Sequence, residues 1–239
     1  MGRNNYFRFK QFTIIQEKAA MKVGTDGVLL GAWTTVPQTG SILDIGTGTG
    51  VIALMLAQRS TEAHVTGIDY EPEAALEASE NAMNSPWSSR ISMLNVSFQE
   101  FHQTCTSRFG LIVSNPPFFE NSRKPKVENL SIAKHNHLLP PEELARGVAH
   151  LLTDDGLFSV ILPATTAPPF QKVAEKHGLF PSRLTIVRPN NLKVPHRYLM
   201  EFSKKKVTVN HGFLNIHTND NQNYTDIYKK FTRDFYLNF

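Results

Sequence analysis

Two stretches of this 239-residue chain hold residue types that can act on one small molecule together. The first is Asn115-Pro116-Pro117-Phe118, which hangs at the end of the apolar run "GLIVS". The Asn115 amide oxygen and the Pro116 carbonyl are two acceptors on consecutive residues, and proline at 116 and 117 restricts the backbone that carries them. Phe118 adds an aromatic face on which a flat ring could stack, worth ~1–3 kcal/mol in comparable settings. The second stretch, "LDIGTGTG", supplies Asp44, Gly46, Thr47, Gly48 and Gly50 between an apolar run and a helical one. Its G-x-G-x-G spacing departs from the G-x-G-x-x-G dinucleotide fingerprint but still allows a tight turn and close approach of a ligand to the backbone. The next apolar run ends in Asp69, 25 residues after Asp44, where a ribose diol would meet a carboxylate. A glycine loop joined to such an acid points to an adenosine-containing cofactor at the switch point of a parallel sheet.

If that cofactor is S-adenosylmethionine and the acceptor is an amino group conjugated to a ring or carbonyl, the Asn-Pro-Pro turn has a clear task. The nitrogen lone pair of such a group is delocalised and poorly nucleophilic. Two fixed acceptors draw its N–H bonds out of plane and favour the tetrahedral nitrogen of the transition state. No strong base is required, because a methylated ammonium gives up its proton readily.

Elements that could position these residues follow in order. "SILDI" (41–45), "HVTGID" (64–69), "ISMLNV" (91–96), "GLIVS" (110–114) and "LFSVIL" (157–162) have the length and β-branched content of strands. Helices fit at 50–58, 72–84 and 141–152, the last opened by Pro141 and two glutamates and closed before "TDDG". Strand-helix alternation predicts an α/β fold, a parallel sheet with helices on both faces. In the tail, Tyr224, Ile227, Tyr228, Phe231 and Phe235 fall on one helical face, expected to pack on the core. One domain over 1–239 is expected, with 1–40 as an N-terminal extension to the cofactor and RNA site and 41–239 as the core.

Composition narrows the setting. A hydrophobic content of 41% and charged content of 19% fit an ordinary globule. The opening residues lack the apolar run of a signal peptide, and no later run is long enough to span a membrane. The lone Cys105 excludes an internal disulfide framework and fits a reducing compartment, so a cytoplasmic location is expected. The net charge is +4, unevenly spread. Arg183, Arg188, Lys193, Arg197, Lys204, Lys205 and Lys206 face one acid, Glu201, in a single stretch that also holds His196. Such a stretch can attract a polyanion such as RNA, or be a solvated surface. His135 and His137 in "KHNH" have no second ligand cluster, so no metal is expected. That loop, with "SRKPK" at 122–126, could instead clamp RNA.

"DIGTGTG", Asp69 and "NPPF" together resemble class I S-adenosylmethionine-dependent methyltransferases that modify exocyclic or amide nitrogens. "FKQF" at 9–12, "AMKVGTDGVLLGAW" at 20–33, "PHR" at 195–197 and "QNYTDIY…FYL" near the end are similar to the bacterial tRNA1(Val) (adenine37-N6)-methyltransferase family. The resemblance implies methylation of N6 of adenine 37 in a valine tRNA. It also implies a Rossmann-like, seven-stranded, mostly parallel sheet whose last strand is antiparallel, with 179–188 and 197–203 as the final pair. It makes Lys22, Thr25 and Asp26 candidates at the methionine end of the cofactor, Asp26 also reading as a helix cap. Two residues depart from the pattern. Phe118 stands where the family has Tyr, and Ser97 where related enzymes carry an Asp that accepts from the cofactor's adenine.

Rival readings start from the same turn. A glutamine-N5 methyltransferase would carry a larger helical domain before the sheet, and a guanine-N2 rRNA methyltransferase a duplicated one. A catalytically idle RNA-binding module would have no use for both Asn115 and the cofactor loop. A dehydrogenase is poorly served by the loop spacing. The expected partner is tRNA, with no membrane or metal, and the expected state is a monomer.

Overall fold

In the computed structural model, residues 4–116, 139–220 and 222–239 are described. They form strands β1 (Tyr6–Arg8) and β2 (Thr13–Ile15), helix α1 (Thr25–Trp33), β3 (Ser41–Ile45), α2 (Val51–Arg59), β4 (His64–Asp69), α3 (Pro72–Met83), β5 (Ile91–Asn95), α4 (Phe98–Thr104) and β6 (Phe109–Ser114). Beyond residue 138 come α5 (Pro141–Leu151), β7 (Leu152–Pro163), α6 (Ala167–Lys176), β8 (Phe180–Arg188), β9 (Arg197–Ser203), β10 (Asn210–Asn215) and α7 (Asp226–Thr232). Pro117, Phe118, the histidines at 135 and 137 and the "SRKPK" segment lie outside the described residues.

The main sheet runs β10-β8-β9-β7-β6-β3-β4-β5. Only β9 runs against its neighbours, pairing antiparallel with both β7 and β8. The seven expected strands are all there, and β8 with β9 forms the expected antiparallel pair. An eighth strand, β10, adds in parallel beyond β8. It escapes a sequence reading because "NHGFLN" buries only Leu214, so it shows no alternating pattern.

Apolar spacing explains which helix covers which face. α5 buries Leu144, Val148 and Leu151, one stripe of a helix whose Pro141 and two glutamates suit its first turn. With α4 and α6 it covers one face, over Ile112, Phe158 and Phe202. α1 and α2 cover the other face and bury nearly all round, because β1, β2 and the C-terminal segment pack outside them. The "TDDG" turn at 153–156 falls within β7 as an irregularity, where Phe109 opposes Leu152 but Leu111 already opposes Leu157. The strand resumes its pairing after the extra residues, so a turn composition does not break it.

The tail departs from a single helical stripe. α7 stops at Thr232, and Phe235 reaches the core through a turn in which its N–H donates to the Thr232 carbonyl. Tyr228 and Phe235 are buried, while Ile227 is 53% exposed. The two ends of the chain are joined here. The Lys10 N–H donates to the Phe235 carbonyl at 2.8 Å, and the Phe9 and Tyr236 rings stack at 6.0 Å.

The N-terminal segment is tied to α3 by two buried polar side chains. Asn81 accepts from the Ile15 N–H at 2.8 Å and donates back to the Ile15 carbonyl and to the Thr49 carbonyl, each at 2.9 Å. The Glu77 carboxylate, 1% exposed, accepts from three consecutive amides, Glu17, Lys18 and Ala19, at 2.6, 2.7 and 3.1 Å. Removing an acceptor from buried amides costs their desolvation. Glu77→Ala should therefore lower stability by roughly 2–4 kcal/mol in denaturant titration, and speed tryptic cleavage after Lys18 and Lys22. Unchanged cleavage there would mean that Glu77 does not hold the segment.

Candidate active site

The carboxyl ends of β3, β4 and β6 converge with the start of β9 on one edge of the sheet. Ile45 of β3 sits opposite Ser114 of β6, so Gly46 and Asn115 leave the sheet side by side. The Ser114 hydroxyl, in a residue 1% exposed, donates to the Ile45 carbonyl at 3.0 Å and fixes that juxtaposition. Asn115 and Pro116 are half-buried at this point.

Gly46, Gly48 and Gly50 adopt φ of 70°, 56° and 81°, a region that L side chains rarely enter. The space where a Cβ would project from Gly46 or Gly48 is open, while at Gly50 it would press on Met93, Leu54 and Ala78. The loop thus needs glycine for conformation at all three positions and for packing at the third. Thr47, 4% exposed, turns inward and donates to Asp44 Oδ2 at 2.7 Å. Gly67 makes room for it. A Cβ there would lie 2.9 Å from Thr47 Oγ1 and overlap Met93. Gly67 looks like an ordinary strand residue in sequence, and only the contact across strands reveals its task.

Two acids face the loop differently. Asp69 accepts from the Gly48 N–H at 2.8 Å and from the Glu71 N–H at 3.0 Å, leaving carboxylate lone pairs for a diol. Burial raises its pKa, against the pull of those amides. Asp44 is fully buried, and its Oδ1 has no donor. Burial pushes it up from the ordinary 3.8 to about 7, opposed by the Thr47 hydroxyl and the Ala53 amide and helped by Asp69. An orphaned buried acceptor beside open glycines fits the ammonium of the methionine part of S-adenosylmethionine, and Asp69 fits its ribose.

The remaining candidates divide. Ser97 is the N-cap of α4 and closes a capping box, donating to Glu100 Oε2 at 2.8 Å and accepting from the Glu100 N–H at 3.2 Å. Its hydroxyl is engaged by the helix, leaving one lone pair for an adenine. Asp26 is not the cap of α1. Gly24 holds that position without a side-chain bond, and Asp26 lies in the first turn. The reason is Arg197, whose Nε donates to Asp26 Oδ2 at 2.7 Å and draws the carboxylate away from the helix end. Thr25 is exposed, and the Lys22 ammonium donates to the Asn4 carbonyl at 2.9 Å. A methyl at Gly27 would stand 3.5 Å from Val51, so the start of α1 lies against the start of α2, where the glycine loop ends.

Strand direction splits the basic stretch, which does not form one surface. Arg188, Lys193, His196 and Arg197 lie at the carboxyl edge, around the end of β8 and the start of β9. Lys204, Lys205 and Lys206 follow β9, whose seven residues carry them about 20 Å to the opposite edge. There Lys204 donates to the Leu152 carbonyl at 2.8 Å, Lys205 pairs with Asp155, and Lys206 lies 4.8 Å from the centre of the Phe180 ring. Arg183 is taken up internally, 3.0 Å from Glu201 and stacked 3.7 Å over Trp33. Among the described residues no group of three metal-ligating side chains occurs, and no helix is long and apolar enough to cross a membrane.

The raised Asp44 carries a pH dependence. Between about pH 4 and 7 the folded protein keeps a proton that the unfolded chain has lost, so the group's burden on stability grows with pH and is complete above 7. Asp44→Asn is uncharged throughout and can still accept from Thr47. Without cofactor, its stability relative to the parent should rise from pH 5 to pH 8, by at most roughly 3 kcal/mol. A difference that is flat with pH in denaturant titrations would show that Asp44 is ionised throughout.

Similarity to known proteins agrees with this geometry. A family described as the methyltransferase small domain matches residues 19–145. A predicted O-methyltransferase from Agrobacterium tumefaciens shares the fold at a TM-score of 0.68 with 18% identity, over 88% of this chain and 96% of the other. A tRNA1(Val) (adenine(37)-N6)-methyltransferase from Bacteroides fragilis is 43% identical over 97% of this chain and 98% of its own length. Another from Trichodesmium erythraeum is 45% identical over 98% and 99%. With such identity along nearly the whole of both chains, and the glycine loop and Asn115 side by side, this chain belongs to the tRNA1(Val) (adenine(37)-N6)-methyltransferase family.

Proposed function

We propose that this protein transfers a methyl group from S-adenosylmethionine to N6 of adenine 37 in tRNA1(Val), in the cytoplasm. The observation that carries the reading is the emergence of Asn115 beside the glycine loop, in a chain whose relatives bear that activity in their names. When bound, S-adenosylmethionine supplies an electrophilic methyl group. The chain's own residues do the rest. Gly46, Gly48 and Gly50 let the backbone approach the cofactor, Asp44 accepts from its ammonium and Asp69 from its ribose. The Asn115 amide oxygen and Pro116 carbonyl accept the two N–H bonds of the adenine amine, raising the nitrogen's nucleophilicity and favouring its tetrahedral form. Pro117 and Phe118, which lie outside the described residues, are the other proposed members of the catalytic motif. The ring nitrogens of adenine remain unprotonated, and the proton lost from the methylated amine leaves to solvent.

Asn115→Ala should reduce turnover by ~10²–10³ while leaving cofactor affinity nearly intact, because the side chain acts on the acceptor. Mass-spectrometric mapping of the methylated nucleotide in treated tRNA tests the position. A near-parental single-turnover rate would remove Asn115 from catalysis, and a methyl group elsewhere than adenine 37 would overturn the assignment.

For RNA, the proposed contacts are those at the carboxyl edge, with Arg188, Lys193 and His196 meeting phosphates and Arg197 supporting the site through Asp26. Phosphate contacts release counterions, so Lys193→Ala should weaken tRNA binding and flatten its dependence on log salt by about 0.7–0.9. Replacing Lys204, Lys205 and Lys206 together by Ala should leave that slope unchanged, since they lie on the far edge. The reverse outcome would put the RNA across the opposite edge of the sheet.

A further inference from the structure

On the sheet face that carries α4, α5 and α6, cover thins toward β10. One row across the strands, near the carboxyl edge, reads Leu162, Tyr198, Ile186 and Phe213. Leu162 is buried, Tyr198 and Ile186 are half-buried, and Phe213 is 64% exposed. Its neighbour Leu214 points to the other face and is buried with Val187 and Leu199, so the strand is anchored without help from the phenyl ring. Arg188, two residues past Ile186 and hence on the same face, holds its guanidinium carbon 5.8 Å from the centre of the Phe213 ring, within cation–π range. An open ring with a cation at its side is the pairing that nucleic-acid bases use for sequence-tolerant stacking.

Charge identifies the occupant. From Leu179 to Asn219 the sequence contains one carboxylate, Glu201, which is 3% exposed and held by Arg183. The surface around Phe213 therefore presents cations without competing acids from its own stretch, which favours a polyanion over a protein partner. Four strand spacings separate β10 from β6, the strand that leads to Asn115, about 19 Å at roughly 4.8 Å each. That is the reach of about five stacked nucleotides at ~3.4 Å each. We propose that Phe213 and Arg188 form a stacking platform for an unpaired base of the RNA substrate, about five nucleotides from the base that is methylated. The inference rests on the RNA-methyltransferase reading and adds a second point of grip, one that recognises a splayed loop rather than a continuous duplex.

The test is binding of full-length unmodified tRNA, by fluorescence anisotropy over a salt series, to the parent and to Phe213→Ala, Phe213→Trp and Arg188→Gln. Phe213→Ala should weaken tRNA binding about tenfold with an unchanged salt slope, and Phe213→Trp should restore it. Arg188→Gln should weaken binding and flatten the slope by about 0.7. Cofactor affinity should match the parent in all three. If the parent binds and methylates tRNA while Phe213→Ala binds within about twofold of it, the platform is overturned and the function stands. If Phe213→Ala alters only self-association in sedimentation, the face joins copies of the chain and the platform is again overturned. If the parent neither binds nor methylates tRNA, both readings fall.

Discussion

The site depends on one pairing, that of β3 with β6. Parallel strands deliver their carboxyl ends to the same edge, and the register of Ile45 against Ser114 decides which two loops become neighbours there. One residue of slip would turn every side chain of the strand to the other face, moving Ser114 away from the Ile45 carbonyl it now bonds. Because both strands are buried among Leu43, Leu111, Ile112 and Val113, that slip would also expose core. The glycine loop and Asn115 thus inherit their relative position from hydrophobic register, with one buried hydroxyl as the local lock.

Three buried carboxylates show how the same cost is met for different ends. Glu201 is surrounded by the Thr35 amide and hydroxyl, the Ser159 hydroxyl and Arg183, and it ties α1 to the antiparallel end of the sheet. Glu77 gathers three backbone amides and holds the N-terminal segment on α3. Beyond the Thr47 hydroxyl and the pull of the Ala53 amide, Asp44 keeps one oxygen with no hydrogen-bond partner, and burial outweighs both and raises its pKa. Satisfied carboxylates build structure, whereas the unsatisfied one is the acceptor proposed above for the cofactor. Asn81 connects these roles, since one amide bonds both the Ile15 peptide and the carbonyl of Thr49 in the glycine loop.

Sequence by itself determined the order of strands β3 to β7, the helices after β3, after β4 and before β7, the glycine loop, the acid at the end of β4 and Asn115 at the end of β6, but not the short helix α4 between β5 and β6. These are local signals: β3 and β4 begin and end where short β-branched runs do, and glycines with positive φ sit where a tight turn demands them. The family resemblance rested on motifs spread over the whole chain, and identity near 45% agrees with it. Tertiary structure decided what depends on partners distant in sequence. Glu77 and Asn81 carry no signal of their own within the helical stretch 72–84, and their task comes from loop amides 58 to 66 residues away. Asp26 reads as a cap until Arg197, 171 residues on, claims it. The basic stretch reads as one patch until the direction of β9 carries its lysines to the far edge, because charge is a property of composition but a surface exists only once strands have a direction.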